Sequence, residues 1–157
     1  MICIPLWVLT GAYACHIIEE YRFNWREWAM RLSKLDLKWS EFYIVNAAVL
    51  VFGIASAIVG YSFSRFSYLF VGLALVNALV AHIGATIVKG KYSPGTLTSI
   101  ILFVPICIWA YYDAYQNAYI DIETIALTVL GGFLIMLIPI GLQLLKNMVS
   151  KRKNSQR

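Results

Sequence analysis

Five apolar runs divide the chain: roughly Ile2–Ile18, Phe42–Tyr61, Phe66–Val88, Gly95–Ala118 and Thr124–Leu145. Each is near the ~20 residues that a helix needs to cross ~30 Å of hydrocarbon, the first being short and abutting charge. With 61% apolar and 13% charged residues over 157 positions, the sequence is too apolar for an ordinary soluble domain. The expectation is an all-α polytopic membrane bundle of about five transmembrane helices. Residues 1–150 form one transmembrane domain and 151–157 a basic cytoplasmic tail. No Pro/Gly/Ser-rich linker marks a second unit.

Charge orients the bundle. Arg22, Arg26, Arg31, Lys34 and Lys38 lie between the first two runs, Lys89 and Lys91 follow the third, and Lys146, Lys151, Arg152, Lys153 and Arg157 follow the fifth. Threading five spans puts these three regions on one face and leaves Arg65 on the other, beside Asp121 and Glu123. The positive-inside rule then gives an outside N-terminus and a cytoplasmic C-terminus in a plasma membrane. A four-span threading, with the first run lying in the interface, keeps the basic loop and the C-terminus together as well. The net charge of +5 is accounted for by this topology and by anionic headgroups, so nucleic acid is discounted as a partner. Ala12-Tyr13-Ala14 imitates a signal cleavage site, but no basic segment precedes it, so Met1–Glu20 is read as a retained helix. Cys3, Cys15 and Cys107 form no CxxC pair and are read as packing residues.

Trp25, Trp28, Leu32, Leu35 and Trp39 recur at spacings of three and four with basic residues between them. That stripe suits one interfacial amphipathic helix anchored in the headgroup region.

Polar residues within the apolar runs locate a site. His16, Glu19 and Glu20 stand at the cytoplasmic end of the first run, where positions i+3 and i+4 flank the face of residue i. Glu19 and Glu20 are about 100° apart around the axis, so one of them is a candidate for an outer role. His82 lies about 9 Å of rise above the Lys89 boundary, which brings the two histidines of the chain to nearly the same depth. Asn46 is at comparable depth. Asn77 sits some 140° from His82 on a regular helix and joins it only if the helix is distorted. After the third run, Lys91-Tyr92-Ser93-Pro94-Gly95-Thr96 forms a turn whose hydroxyls and following helix N-terminus suit a phosphate or carboxylate headgroup. Singly, each polar residue is accounted for by interfacial ion pairing or by hydrogen bonding between helices. Together, two His and two Glu at one level point to function.

His16-Ile17-Ile18-Glu19-Glu20 matches the motif of the HXXEE-domain family of membrane proteins. Asn77-Ala78-Leu79-Val80-Ala81-His82 resembles its second block, and Tyr92-Ser93-Pro94-Gly95-Thr96 resembles its Tyr-x-Pro-Gly block, in the expected order. The resemblance covers residues 16–98 and implies a site without implying a reaction.

The chemistry expected of this set is a metal centre. His16, Glu19 or Glu20, and His82 would hold a divalent metal, zinc before iron, since imidazole plus carboxylate disfavours Ca²⁺ and Mg²⁺. An open coordination position lowers the pKa of bound water towards ~7 and supports hydrolysis of a lipid ester, amide or phosphate, with the spare Glu as general base. Asn46, Asn77, Lys91, Tyr92 and Thr96 would border the substrate. The alternatives are a metal-free acid/base isomerase on a hydrophobic substrate, a small transporter or an immunity-type binding protein, with a homodimer compatible with each. A purely structural subunit is the remaining one.

Overall fold

The computed structural model describes residues 3–33 and 35–155, with side chains through residue 149. Lys34, one of the expected interfacial cations, and the side chains of the basic tail lie outside the described residues. Every regular element described is helical: α1 Ile4–Arg22, α2 Trp25–Ser33, α3 Trp39–Val59, α4 Ser64–Val76, α5 Ala85–Lys89, α6 Thr96–Thr98, α7 Val104–Gln116 and α8 Ile122–Ser155. A 3₁₀ turn, Gly60–Phe63, joins α3 to α4. Two π-helical segments, Asn77–Gly84 and Ser99–Phe103, join α4 to α5 and α6 to α7 without leaving the helical path.

Three helical runs are long and apolar enough to cross a membrane, against the five expected: Trp39–Lys89, Thr96–Gln116 and Ile122–Val149. The difference has two physical sources. Helix α1 carries His16, Glu19 and Glu20 within its 19 residues, which lowers its hydropathy. The 51-residue run Trp39–Lys89 is unbroken in helical character yet folds back on itself at Gly60, whose φ is 54°. A methyl group at Gly53 would come within 2.7 Å of the Phe70 ring, and Phe52 meets the rings of Phe66 and Phe70 at centroid distances of 5.5 and 5.9 Å. Helices α3 and α4 therefore lie side by side as a hairpin.

The amphipathic stripe is not one helix. Helix α2 ends at Ser33, Leu35 lies in the irregular connection, and Trp39 opens α3. Ser33 returns its hydroxyl to Ala29 O (2.8 Å) and accepts from Leu35 N (3.2 Å), a local alternative to the helical bond that ends the element there. Trp39 packs instead on Tyr21, Phe42 and Tyr43.

The core joins α1, α4 and α7, with Leu6, Leu9, Tyr68, Phe70 and Cys107 almost wholly buried. Helix α8 crosses α4 with almost no clearance: a methyl group at Gly72 would meet Thr128 O at 2.0 Å, and one at Gly132 would meet Gly72 C at 2.3 Å. Small residues permit such an approach of two backbones. The same helix continues through residues 151–155, so the described part of the basic tail extends the last helix.

Candidate metal centre

At one end of this core the apolar packing gives way to polar side chains. His16 is 0% exposed, His82 1% and Glu20 6%. Glu20 Oε1 lies 3.8 Å from His16 Nε2 and 3.5 Å from His82 Nε2, and the two imidazoles meet edge to face with centroids 4.6 Å apart. The ligand atoms of these three residues all fall within 4.8 Å of one another. Phe103, from the second π segment, covers His16 at 4.6 Å, and Tyr13 approaches it at 5.8 Å. The result is a polar cluster with aromatic walls.

Glu19, the next residue, does a different job. Its Oε1 accepts from Gly95 N (2.9 Å), Leu97 N (3.1 Å) and the Tyr92 hydroxyl, and its Oε2 accepts from Thr98 N (2.7 Å) and Thr98 Oγ1 (2.5 Å). A helix leaves its first N–H groups without intrahelical partners and carries partial positive charge there. The carboxylate of α1 thus caps the helical run that begins at Thr96. The anion-binding N-terminus anticipated for a substrate headgroup is occupied by the protein's own Glu19.

That cap also defines the tautomer of His16. Thr98 has one hydroxyl proton, and the short bond to the Glu19 carboxylate takes it. Thr98 Oγ1 therefore accepts, at 2.7 Å, from His16 Nδ1, which must carry hydrogen. This leaves the Nε2 lone pair free to face Glu20. His82 Nδ1 stands 3.4 Å from Ser93 Oγ, a longer contact that does not by itself fix the tautomer, and the ring also bonds to the Pro94 backbone. Each imidazole thus has its Nδ1 at a hydroxyl and its Nε2 towards one carboxylate oxygen.

Gly95 permits the assembly. Its φ of 103° is unfavourable for any side chain, and a methyl group there would stand 2.5 Å from His82 Cε1 and 2.7 Å from His16 Cε1.

Asn77 joins the cluster because the helix is distorted. On an α-helix it would point some 140° from His82, whereas the π segment Asn77–Gly84 follows an i→i+5 pattern that brings residues five apart onto one face. Its Nδ2 lies 3.3 Å from His16 Nε2.

The other expected lining residues lie elsewhere or act on the backbone. Asn46 donates its amide to Phe42 O one turn back in α3, at 3.0 Å. Lys91 is exposed. Thr96 bonds Ser93 O (2.7 Å), His82 O (3.3 Å) and Thr86 Oγ1 (2.8 Å), fastening the turn to the π segment. Tyr92 serves Glu19, and its phenol is pushed up to about 12 by burial and by that carboxylate. Thr98 is the residue that sequence reasoning missed; its signal is modest, a hydroxyl one turn beyond a Pro-Gly helix start. A cleft lined by Arg22, Arg26, Trp39 and Tyr43 reaches Glu19 and Thr98.

Fold and site together define a helical bundle built around a buried His/Glu/His cluster. The chain belongs to the family described as protein of unknown function with HXXEE motif, whose profile matches residues 7–110, from α1 into α7. It is also similar to Uncharacterized protein YrkK of Bacillus subtilis (strain 168), at 30% identity over 140 residues, covering 82% of this chain and 87% of the relative. No solved structure matches the chain.

Proposed function

We propose that this protein is a five-span membrane enzyme in which His16, Glu20 and His82 bind a divalent metal, zinc in first place and iron in second. In this reading it hydrolyses an ester, amide or phosphate bond of a lipid or similarly hydrophobic molecule. Helix α1, the two arms of the α3–α4 hairpin, the Thr96–Gln116 run and α8 are the five crossings. The basic loops lie at the cytoplasmic face of the plasma membrane, with the N-terminus outside.

The observation that carries the reading is the spacing around Glu20. Separations of 3.8 and 3.5 Å from the two Nε2 atoms are longer than charge-assisted hydrogen bonds, which run about 2.7–2.9 Å. They are close to the edge of a tetrahedron with bonds of about 2.0–2.1 Å, roughly 3.3 Å. A buried carboxylate with two imidazoles standing off from it at that distance fits a cation between them better than it fits a hydrogen-bonded pair. The donor set, two imidazoles and a carboxylate, suits zinc or iron.

A bound cation of this kind supplies a Lewis acid to an oxygen of water or substrate. The residues of the chain prepare the place for it. Glu20 brings the negative charge, and the Glu19–Thr98–His16 chain of hydrogen bonds orients one imidazole while Ser93 orients the other, the outer-partner arrangement known to tune metal ligands. Phe103 and Tyr13 keep bulk water away from His16. With both carboxylate oxygens engaged, Glu19 serves as cap and orienting group in place of general base.

The test is metal content by mass spectrometry of detergent-purified wild type, His16→Ala, His82→Ala and Glu20→Gln, with folding checked by circular dichroism. Near-stoichiometric zinc or iron in the wild type, lost in all three folded variants, is the expected result. Wild-type protein that carries no metal and binds none on titration overturns the metal centre and the hydrolysis built on it.

A further inference from the structure

Asn77 is the polar side chain beside the three proposed ligands to which the metal centre so far gives no role. Its Nδ2 stands 3.3 Å from His16 Nε2, the nitrogen whose lone pair the Thr98 bond leaves free. In protein without an ion, the Asn77 NH₂ group is the donor that meets this lone pair. Once a cation takes the lone pair, those hydrogens face positive charge. A half-turn about the terminal torsion, a broad two-fold one, exchanges them for the carbonyl oxygen at nearly unchanged position. The oxygen then lies about 3.3 Å from Nε2, again the edge of a tetrahedron with bonds of about 2.0–2.1 Å.

Resting on the metal-site reading, we propose that Asn77 Oδ1 is the fourth ligand of the resting ion, a neutral one that an oxygen of water or substrate displaces. The π segment supports this. His82 alone needs only an ordinary helix, whereas the i→i+5 segment is what turns Asn77 onto the same face. Gly84 belongs to the same device, since a methyl group there would stand 2.8 Å from Leu79 O, five residues back. A carboxamide also has the right strength for a displaceable ligand. It carries no charge to add to that of Glu20, so it binds the ion more weakly than a second carboxylate would.

The experiment uses full-length, detergent-purified, metal-free protein titrated with Co²⁺, read by visible absorption, then challenged with azide. Wild type is expected to bind cobalt tetrahedrally and to resist azide. Asn77→Ala keeps the ion with affinity lower by at least the about 10–100-fold that loss of an outer partner costs and accepts azide at least about tenfold more readily. Asn77→Asp, of the same size, binds cobalt more tightly than wild type and resists azide, and it carries the test if the alanine variant does not fold. Asn77→Ala matching wild type in both cobalt affinity and azide response overturns the fourth-ligand role while leaving the metal site intact, as does Asn77→Asp binding no more tightly than wild type. Folded wild type that takes no cobalt overturns the metal site itself, and with it this inference.

Discussion

Thr98 Oγ1 lies 2.7 Å from His16 Nδ1, and because its proton is committed to Glu19 it receives a hydrogen bond from the imidazole. A helix cap and a candidate metal ligand are thereby joined through one hydroxyl. Thr98→Val keeps the shape and removes the hydroxyl while leaving the backbone caps of Glu19 in place. Metal affinity is expected to fall about 10–100-fold with the fold retained, as is typical when the outer partner of a ligating histidine is lost. Competition against a chromophoric chelator measures it.

The adjacent carboxylates should respond in opposite ways. Glu19→Ala removes the cap from the helix that starts at Thr96 and should cost about 2–4 kcal/mol of stability. Glu20→Gln, in metal-free protein, replaces a buried carboxyl group that has no hydrogen bond of ordinary length to either imidazole; stability should be unchanged or higher, by up to about 2 kcal/mol. Thermal unfolding of both variants in one detergent, with chelator present, decides the matter. Equal losses would show that the division of labour is wrong.

Gly95→Ala places a methyl group within 2.6 Å of His82 Nδ1 and requires an alanine at φ 103°. Overpacking and backbone strain together should cost about 2–4 kcal/mol. The histidines can relieve the clash only by moving, so bound metal should fall as well. Metal content and melting temperature, measured on the same sample, would show both losses.

Tyr92 gives a pH signature outside the spanning segments. Burial and the Glu19 carboxylate favour its protonated form in the folded protein and push its pKa up to about 12 from a usual 10.0. The folded state therefore gains from the neutral phenol fully below pH 10.0 and loses that contribution as pH rises towards about 12. In a spectrophotometric titration at 295 nm, Tyr92→Phe should remove a tyrosinate signal that appears late. A Tyr92 that ionises near pH 10.0 would contradict its bond to Glu19.

The meeting of His16 and His82 is legible in the sequence, because each stands a similar number of residues from the basic end of its apolar run. Rotation about the helix axis is much less legible. Glu19 and Glu20 differ by one step, and the partner that separates their roles is the backbone of Gly95, Leu97 and Thr98, which no local pattern near residue 19 announces. Asn77 is assigned by regular helix geometry to the wrong face, and the π segment that corrects it has no composition of its own. The Trp25–Trp39 stripe errs for a related reason: periodicity runs on through residues 33–38, where a serine hydroxyl bonds locally and the chain leaves the helix. The expected lysine and asparagine contacts, Lys91 and Asn46, rest on depth alone, and depth does not establish contact.

The capping of the Thr96 run by Glu19 has a consequence for biogenesis. The carboxylate that starts this run lies 76 residues before Gly95, on a helix that the ribosome completes long before. When the segment after Pro94 first emerges it has no side chain of its own to begin its helix, and it acquires one only by docking beside α1. The same docking brings Thr98 to His16 and the turn to His82. Ion capture, in the reading proposed here, is then completed only after the middle of the chain has docked, because a nascent fragment ending before Thr98 carries all the ligands without the hydroxyl that orients His16.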